Sequence, residues 1–157
     1  MCSSDLDFLA GKCDDLGFDN IQIDEVGNLI AKKGTGSPKI MLCGHMDVVP
    51  GKVKVRKEGD SLYGRGASDA KAPLIAMLFA AASIQNNNGT IIFVAAVDEE
   101  GSATGIKNLV KKDMGVDYAI FGEPSGVKQV TIAYKGRLAI NLRSEEHTSE
   151  LQSRRNL

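Results

Sequence analysis

An α/β sheet containing parallel strands is the fold this sequence predicts, and three observations predict it. Apolar runs of strand length at 39–43, 90–97 and 116–122 alternate with helix-forming stretches at 70–85 and 103–113. The runs TIIFVAAV and VDYAIFG are continuously apolar rather than alternating, as expected of strands covered on both faces. Residues with acid-base or ligand chemistry recur just after these runs, where open α/β sheets collect their ligands.

Taken in chain order, DFLAGKCDDL at about 7–16 reads as a short amphipathic helix. IQIDEV and NLIAKKG follow as two strands turning about Gly27-Asn28, a hairpin signal. KGTGSPK at 33–39 lacks the spacing of a phosphate-binding loop before a helix and reads as a turn. KIMLCGH reads as a buried strand. KVKVRKEGDSLYG alternates and turns at Gly59-Asp60, which suggests a surface hairpin beside the site. AKAPLIAMLFAAASIQ is rich in helix formers, carries Pro73 in its first turn and stops at the polar NNNG. ATGIKNLVKKD links the strands at 90–97 and 116–122 as a second such helix, and VTIAYKGRLAINL at 130–142 has strand character.

Composition narrows the function. With 157 residues and 43% hydrophobic content, one domain with a real core is expected. The balance of 19 basic against 20 acidic residues gives a formal net charge of -1, which offers no general attraction to nucleic acid or to an anionic membrane. Cys2, Cys13 and Cys43 are odd in number and show no CxxC spacing, so neither a disulfide framework nor a structural zinc knot is expected. A reducing, cytoplasmic location follows as the expectation. The longest apolar stretch, APLIAMLFAAASI, is too short to span a bilayer.

Both ends look foreign to the rest. RSEEHTSELQS at 143–153 is all polar without period, and it resembles one reading frame of a translated sequencing adapter; MCSSDL resembles the matching adapter at the other end. Residues 1–6 and 143–157 are therefore expected to be adapter-derived, leaving 7–142 as the natural stretch. His147 and Cys2 fall in these ends and are assigned no function, so His45 carries any histidine chemistry.

His45 and Asp47 follow the strand at 39–43, Asp69 lies in the glycine-rich GRGASDAK just before a helix, Glu99 and Glu100 follow the strand at 90–97, and Glu123 follows the strand at 116–122. Carboxylates gathered this closely repel unless cations lie between them, which points to a metal centre. One histidine with several carboxylates suits zinc, cobalt or manganese better than calcium, and a carboxylate shared by two ions makes a dimetal hydrolase site the sharp hypothesis. Asp47 would then orient the His45 imidazole from behind.

GHMDVVP, LYGRGASDAKAP, VDEEG and GEPSG, in this order and spacing, resemble the acetylornithine deacetylase, succinyl-diaminopimelate desuccinylase and carboxypeptidase G family of dinuclear zinc peptidases, across nearly all of 7–142. The resemblance implies a zinc-exopeptidase-like catalytic domain, a mixed sheet flanked by helices, cut short before a lid and dimerisation domain. It implies two Zn2+, or Co2+, with His45 and Glu123 on one ion, Glu100 on the other and Asp69 bridging. It makes Glu99 the general base and the Asp69-Ala70 peptide bond cis; Asp47, behind His45, is counted with Glu99 among the catalytic residues. GEPSG followed by VTIAYKGRL most resembles the branch that releases lysine or ornithine from the amino-group carrier protein of lysine and arginine biosynthesis. A homodimer is implied for the whole protein. The late histidine ligand of the family has no counterpart here, so the chain as written is expected to be inactive.

Rival readings stay open at this point: a deacetylase, desuccinylase or dipeptidase of the same family, or a metal-free binding scaffold of the same fold. Asp69 could cap the following helix, Glu99-Glu100 could be a solvated helix entry, and Cys43 is either ligand, nucleophile or packing, with packing favoured in an apolar strand. Lys135 and Arg137 either contact a substrate carboxylate or are solvated strand charges.

Overall fold

The computed structural model describes residues 3–85 and 88–133. In order, it contains α1 (Ser3–Asp15), β1 (Asn20–Ile23), β2 (Leu29–Lys33), β3 (Lys39–His45), β4 (Arg56–Glu58), β5 (Ser61–Tyr63), α2 (Lys71–Ser83), β6 (Thr90–Ala96), α3 (Thr104–Lys112) and β7 (Tyr118–Phe121). Its compact unit runs to Gly126; Val127 begins a second unit, described as far as Ala133 and without helix or strand there. The expected strand at 130–142 thus has no strand over 130–133, and its remainder lies outside the described residues. So do the 143–157 tail, Cys2, Lys135, Arg137 and His147.

Five strands form one sheet in the order β1-β2-β6-β3-β7. β1 pairs with β2 and β2 with β6 in antiparallel fashion, while β6 with β3 and β3 with β7 are parallel. The hairpin turns on Gly27, whose φ of 101° suits glycine. β6 is the core strand. Successive side chains point to opposite faces, so Ile91, Phe93, Ala95 and Val97 pack with Leu9, Cys13, Leu74, Leu78 and Ala81 of α1 and α2. Ile92, Val94 and Ala96 pack on the other face with Ile30, Cys43 and Leu109 of α3. The continuous apolar run TIIFVAAV is the consequence of burial on both sides.

VDYAIFG departs from the same expectation. β7 is a four-residue edge strand whose Tyr118, Ile120 and Phe121 are more than half exposed. A strand bonded on one side to β3 alone leaves its outer edge without a neighbour among the described residues, so an apolar run was not enough to bury it. β4 and β5 make the expected surface hairpin.

α2 approaches the end of β3 closely because Gly44 has no side chain. A Cβ there would stand 3.0 Å from the Met77 methyl and 3.2 Å from Leu74 Cδ1. The contact seats α2, and with it the loop carrying Asp69, beside His45.

Candidate metal centre

His45 is the last residue of β3, and the hydrogen bond from the Met46 amide to the Ala96 carbonyl carries the chain past the end of β6. The parallel register places His45 opposite Ala96, so the residues after each strand emerge at one sheet edge. His45 Nδ1 stands 3.1 Å from the Asp47 backbone oxygen and 3.5 Å from Asp47 Oδ1. A carbonyl oxygen only accepts, so Nδ1 carries the proton there and donates it. In the neutral ring this leaves Nε2 with a lone pair, the tautomer a metal ligand needs.

Nε2 faces the carboxylates. It lies 3.3 Å from Asp69 Oδ1 and 4.0 Å from Glu99 Oε2. One donor atom each from His45, Asp69 and Glu100 lie within 4.8 Å of one another, with His45 buried and both carboxylates exposed. The arrangement is a cup with a fixed imidazole floor and an acidic, open rim. Glu123 also faces His45 electrostatically but falls outside this close triad. Asp69 does not cap α2: the cap position is Ala70 and no side chain bonds it, which leaves the Asp69 carboxylate turned toward the imidazole. The Asp69-Ala70 peptide bond is cis.

The charge state reports an unneutralised excess. Burial opposes protonation of His45, yet Glu123, Glu99, Asp47 and Asp69 together outweigh it and hold the imidazole pKa above its ordinary value. Burial raises the Glu123 pKa; His45 opposes the shift, while Asp69, Glu99 and Glu100 add to it. One imidazole against five carboxylates is the electrostatic setting that a divalent cation relieves.

The loop bearing Glu99 and Glu100 is held from several sides. Asp47 accepts the Glu99 amide on Oδ1 and the Glu100 amide on Oδ2, each at 3.1 Å, so one carboxylate links the His45 strand to the Glu99-Glu100 loop. Within the loop Asp98 accepts the Ser102 and Thr104 amides and the Thr104 hydroxyl. Sequence reasoning gave Asp47 an imidazole-orienting role but missed this backbone clamp and the loop-shaping role of Asp98. It also treated Asn28 as a turn residue, although Asn28 and His45 are the two buried polar residues among those described. Cys43 is packing: it is buried, and burial together with Glu123 pushes its thiol up to about 12. No helix among the described residues is long and apolar enough to cross a membrane.

Comparison with known proteins identifies the family. The chain is 37% identical over 123 residues to the LysW-lysine/LysW-ornithine hydrolase of Sulfurisphaera tokodaii, covering 78% of the chain and 34% of that protein. A Pyrococcus furiosus protein given the same name provisionally is 54% identical over 120 residues, covering 75% of the chain and 35% of that protein. The chain therefore spans about a third of the length of the curated relatives it matches. Among solved structures, a tripeptidase from Staphylococcus aureus aligns with a TM-score of 0.61 at 28% identity, over 79% of the chain and 38% of that protein. An M20 family metallo-carboxypeptidase from Sulfolobus solfataricus shares the fold with a TM-score of 0.60 at 19% identity, over 76% of the chain and 32% of that protein. The model of Peptidase family M20/M25/M40 matches residues 41–151, and this chain belongs to that family.

Proposed function

We propose that this chain supplies most of the catalytic centre of a cytoplasmic two-metal amide or isopeptide hydrolase that releases lysine or ornithine from an amino-group carrier protein. The observation that carries the hydrolase reading is the meeting of His45, Asp69 and Glu100 within 4.8 Å beside Glu99. The names of the relatives support the substrate.

In this reading His45, Asp69, Glu100 and Glu123 would hold two Zn2+ or Co2+. The ions, when bound, polarise the scissile carbonyl and make water a better nucleophile at neutral pH. Glu99, at the same rim and partly open to solvent, takes the water proton and delivers it to the departing amine. Asp47 keeps Glu99 and Glu100 facing His45 through its two backbone hydrogen bonds. His45 holds its Nδ1 proton against the Asp47 carbonyl and presents Nε2 inward. A homodimer is part of this proposal for the whole protein.

The test is made on the complete gene product after chelation and return of Zn2+ or Co2+. Release of lysine or ornithine from the carrier protein should exceed hydrolysis of acetyl- and succinyl-amino acids, and Glu99→Ala should lower turnover by about 10²–10⁴-fold, the usual worth of a general base. Faster hydrolysis of the acyl-amino acids would move the substrate to the deacetylase branch. A fully active Glu99→Ala enzyme would remove the catalytic assignment.

A further inference from the structure

We infer that Asn28 is a positioning residue for the site, fixing the Glu99-Glu100 loop through the Val97 backbone; this rests on the reading of Glu99 as base and Glu100 as ligand. The buried side-chain amide of Asn28 connects three elements. Its Nδ2 donates to Asp24 Oδ2 at 2.8 Å and to the Gly105 carbonyl at 3.0 Å, and its Oδ1 accepts the Val97 amide at 3.0 Å. The two acceptors around Nδ2 fix the orientation of the amide, so its oxygen has to face Val97. Val97 stands one residue beyond β6 and two before Glu99.

The loop needs such an anchor. It leaves β6 through Asp98 at φ 57° and enters α3 through Ala103 at φ 54°, left-handed conformations that non-glycine residues seldom adopt unless their surroundings impose them. The Gly105 amide bonds the Val97 carbonyl at 3.2 Å, so Asn28 and Gly105 together satisfy both backbone groups of Val97 and close the loop on itself. Space confirms how tightly they fit. A Cβ on Gly105 would collide with Asn28 Oδ1 and with the Val97 backbone, so a glycine there is what lets the amide reach its place. Asp24 in turn holds the Asn28 amide while accepting the Val26, Gly27 and Asn28 backbone amides and the Asn108 side chain. Asp47 holds the loop at the Glu99 and Glu100 amides, and Asn28 holds it at the Val97 amide where it leaves β6.

The experiment uses the 157-residue chain with Co2+ as the probe, followed by its visible absorption, together with backbone amide exchange measured by NMR without metal. In Asn28→Ala, Co2+ binding should weaken by about 10- to 100-fold, the range for residues that orient ligands without touching the metal. Glu99 and Glu100 amide exchange should quicken while the β6 core amides of Phe93 and Val94 keep their protection. Gly105→Ala should reproduce both effects from the other side of the contact and serves if Asn28→Ala does not fold. Asn108→Ala, which removes an outer partner of Asp24 and leaves the Val97 contact, should behave as the parent. Parent-like cobalt affinity and loop exchange in folded Asn28→Ala or Gly105→Ala would overturn the proposal, as would a uniform loss of protection across β6. Glu100→Gln separates the underlying reading: unchanged cobalt binding there would overturn the metal assignment itself, whereas weakened binding there with parent-like Asn28→Ala overturns the role of Asn28 alone.

Discussion

Replacing Asp47 by asparagine isolates what one carboxylate does at this sheet edge. The change is nearly isosteric, but the two carboxylate oxygens accept two different amides, Glu99 on Oδ1 and Glu100 on Oδ2. Asparagine has one acceptor. Whichever way its amide turns, an NH2 group faces a backbone N–H about 3.1 Å away, donor against donor. One charge-assisted hydrogen bond, worth about 1.5–3 kcal/mol, is lost, and the other is weakened to a neutral one. Both bonds lie near solvent, so water replaces part of the loss and about 1–2 kcal/mol of stability should disappear. The local effect is larger in consequence: the Glu99-Glu100 loop keeps one tether instead of two to the residue that follows the His45 strand. Co2+ affinity should fall by about 10- to 100-fold, read by absorption titration beside urea unfolding of the same samples. Binding within about twofold of the parent, with stability also unchanged, would refute the clamp.

Further outcomes follow from other parts of the molecule. Burial works against the Asp24 charge, but hydrogen bonds from Asn28, Asn108 and Val26 outweigh it and hold the carboxyl below its usual range. A lowered folded-state pKa means its stabilisation is complete above the unfolded value near ~4 and is lost as pH falls through the folded value. Asp24→Asn should therefore destabilise the chain at pH 7 in urea unfolding, and the gap to the parent should shrink below about pH 4; a gap independent of pH would contradict this. Phe93→Ala empties a fully buried site between α2 and the sheet and should cost about 3–5 kcal/mol in the same assay. Gly44→Val should cost about 1–3 kcal/mol by overpacking against Met77 and Leu74, and should weaken Co2+ binding because α2 carries Asp69 with it. Cys43, buried with its thiol pushed up to about 12, should resist alkylation in the native chain and react on unfolding, read by peptide mass spectrometry.

The amino-acid sequence by itself determined the alternation of strands and helices and the residue types, capable of ligand and acid-base chemistry, that follow them. Apolar runs such as TIIFVAAV have few ways to be buried, and His45, Asp69, Glu99, Glu100 and Glu123 stand where strands and a glycine-rich loop end. Those are local properties, set by side-chain type and chain position, and they are legible one segment at a time. Only the tertiary structure decided that β7 lies at an exposed edge, because which strand gains a second neighbour depends on the pairing order of the whole sheet. Only it drew His45, Asp69 and Glu100 into one triad with Glu123 farther out. It also turned Asn28 from a turn residue into the amide that meets Val97, 69 positions away. A hydrogen bond between distant residues leaves no period and no spacing in the sequence, since its geometry exists only once α3, β2 and β6 have packed.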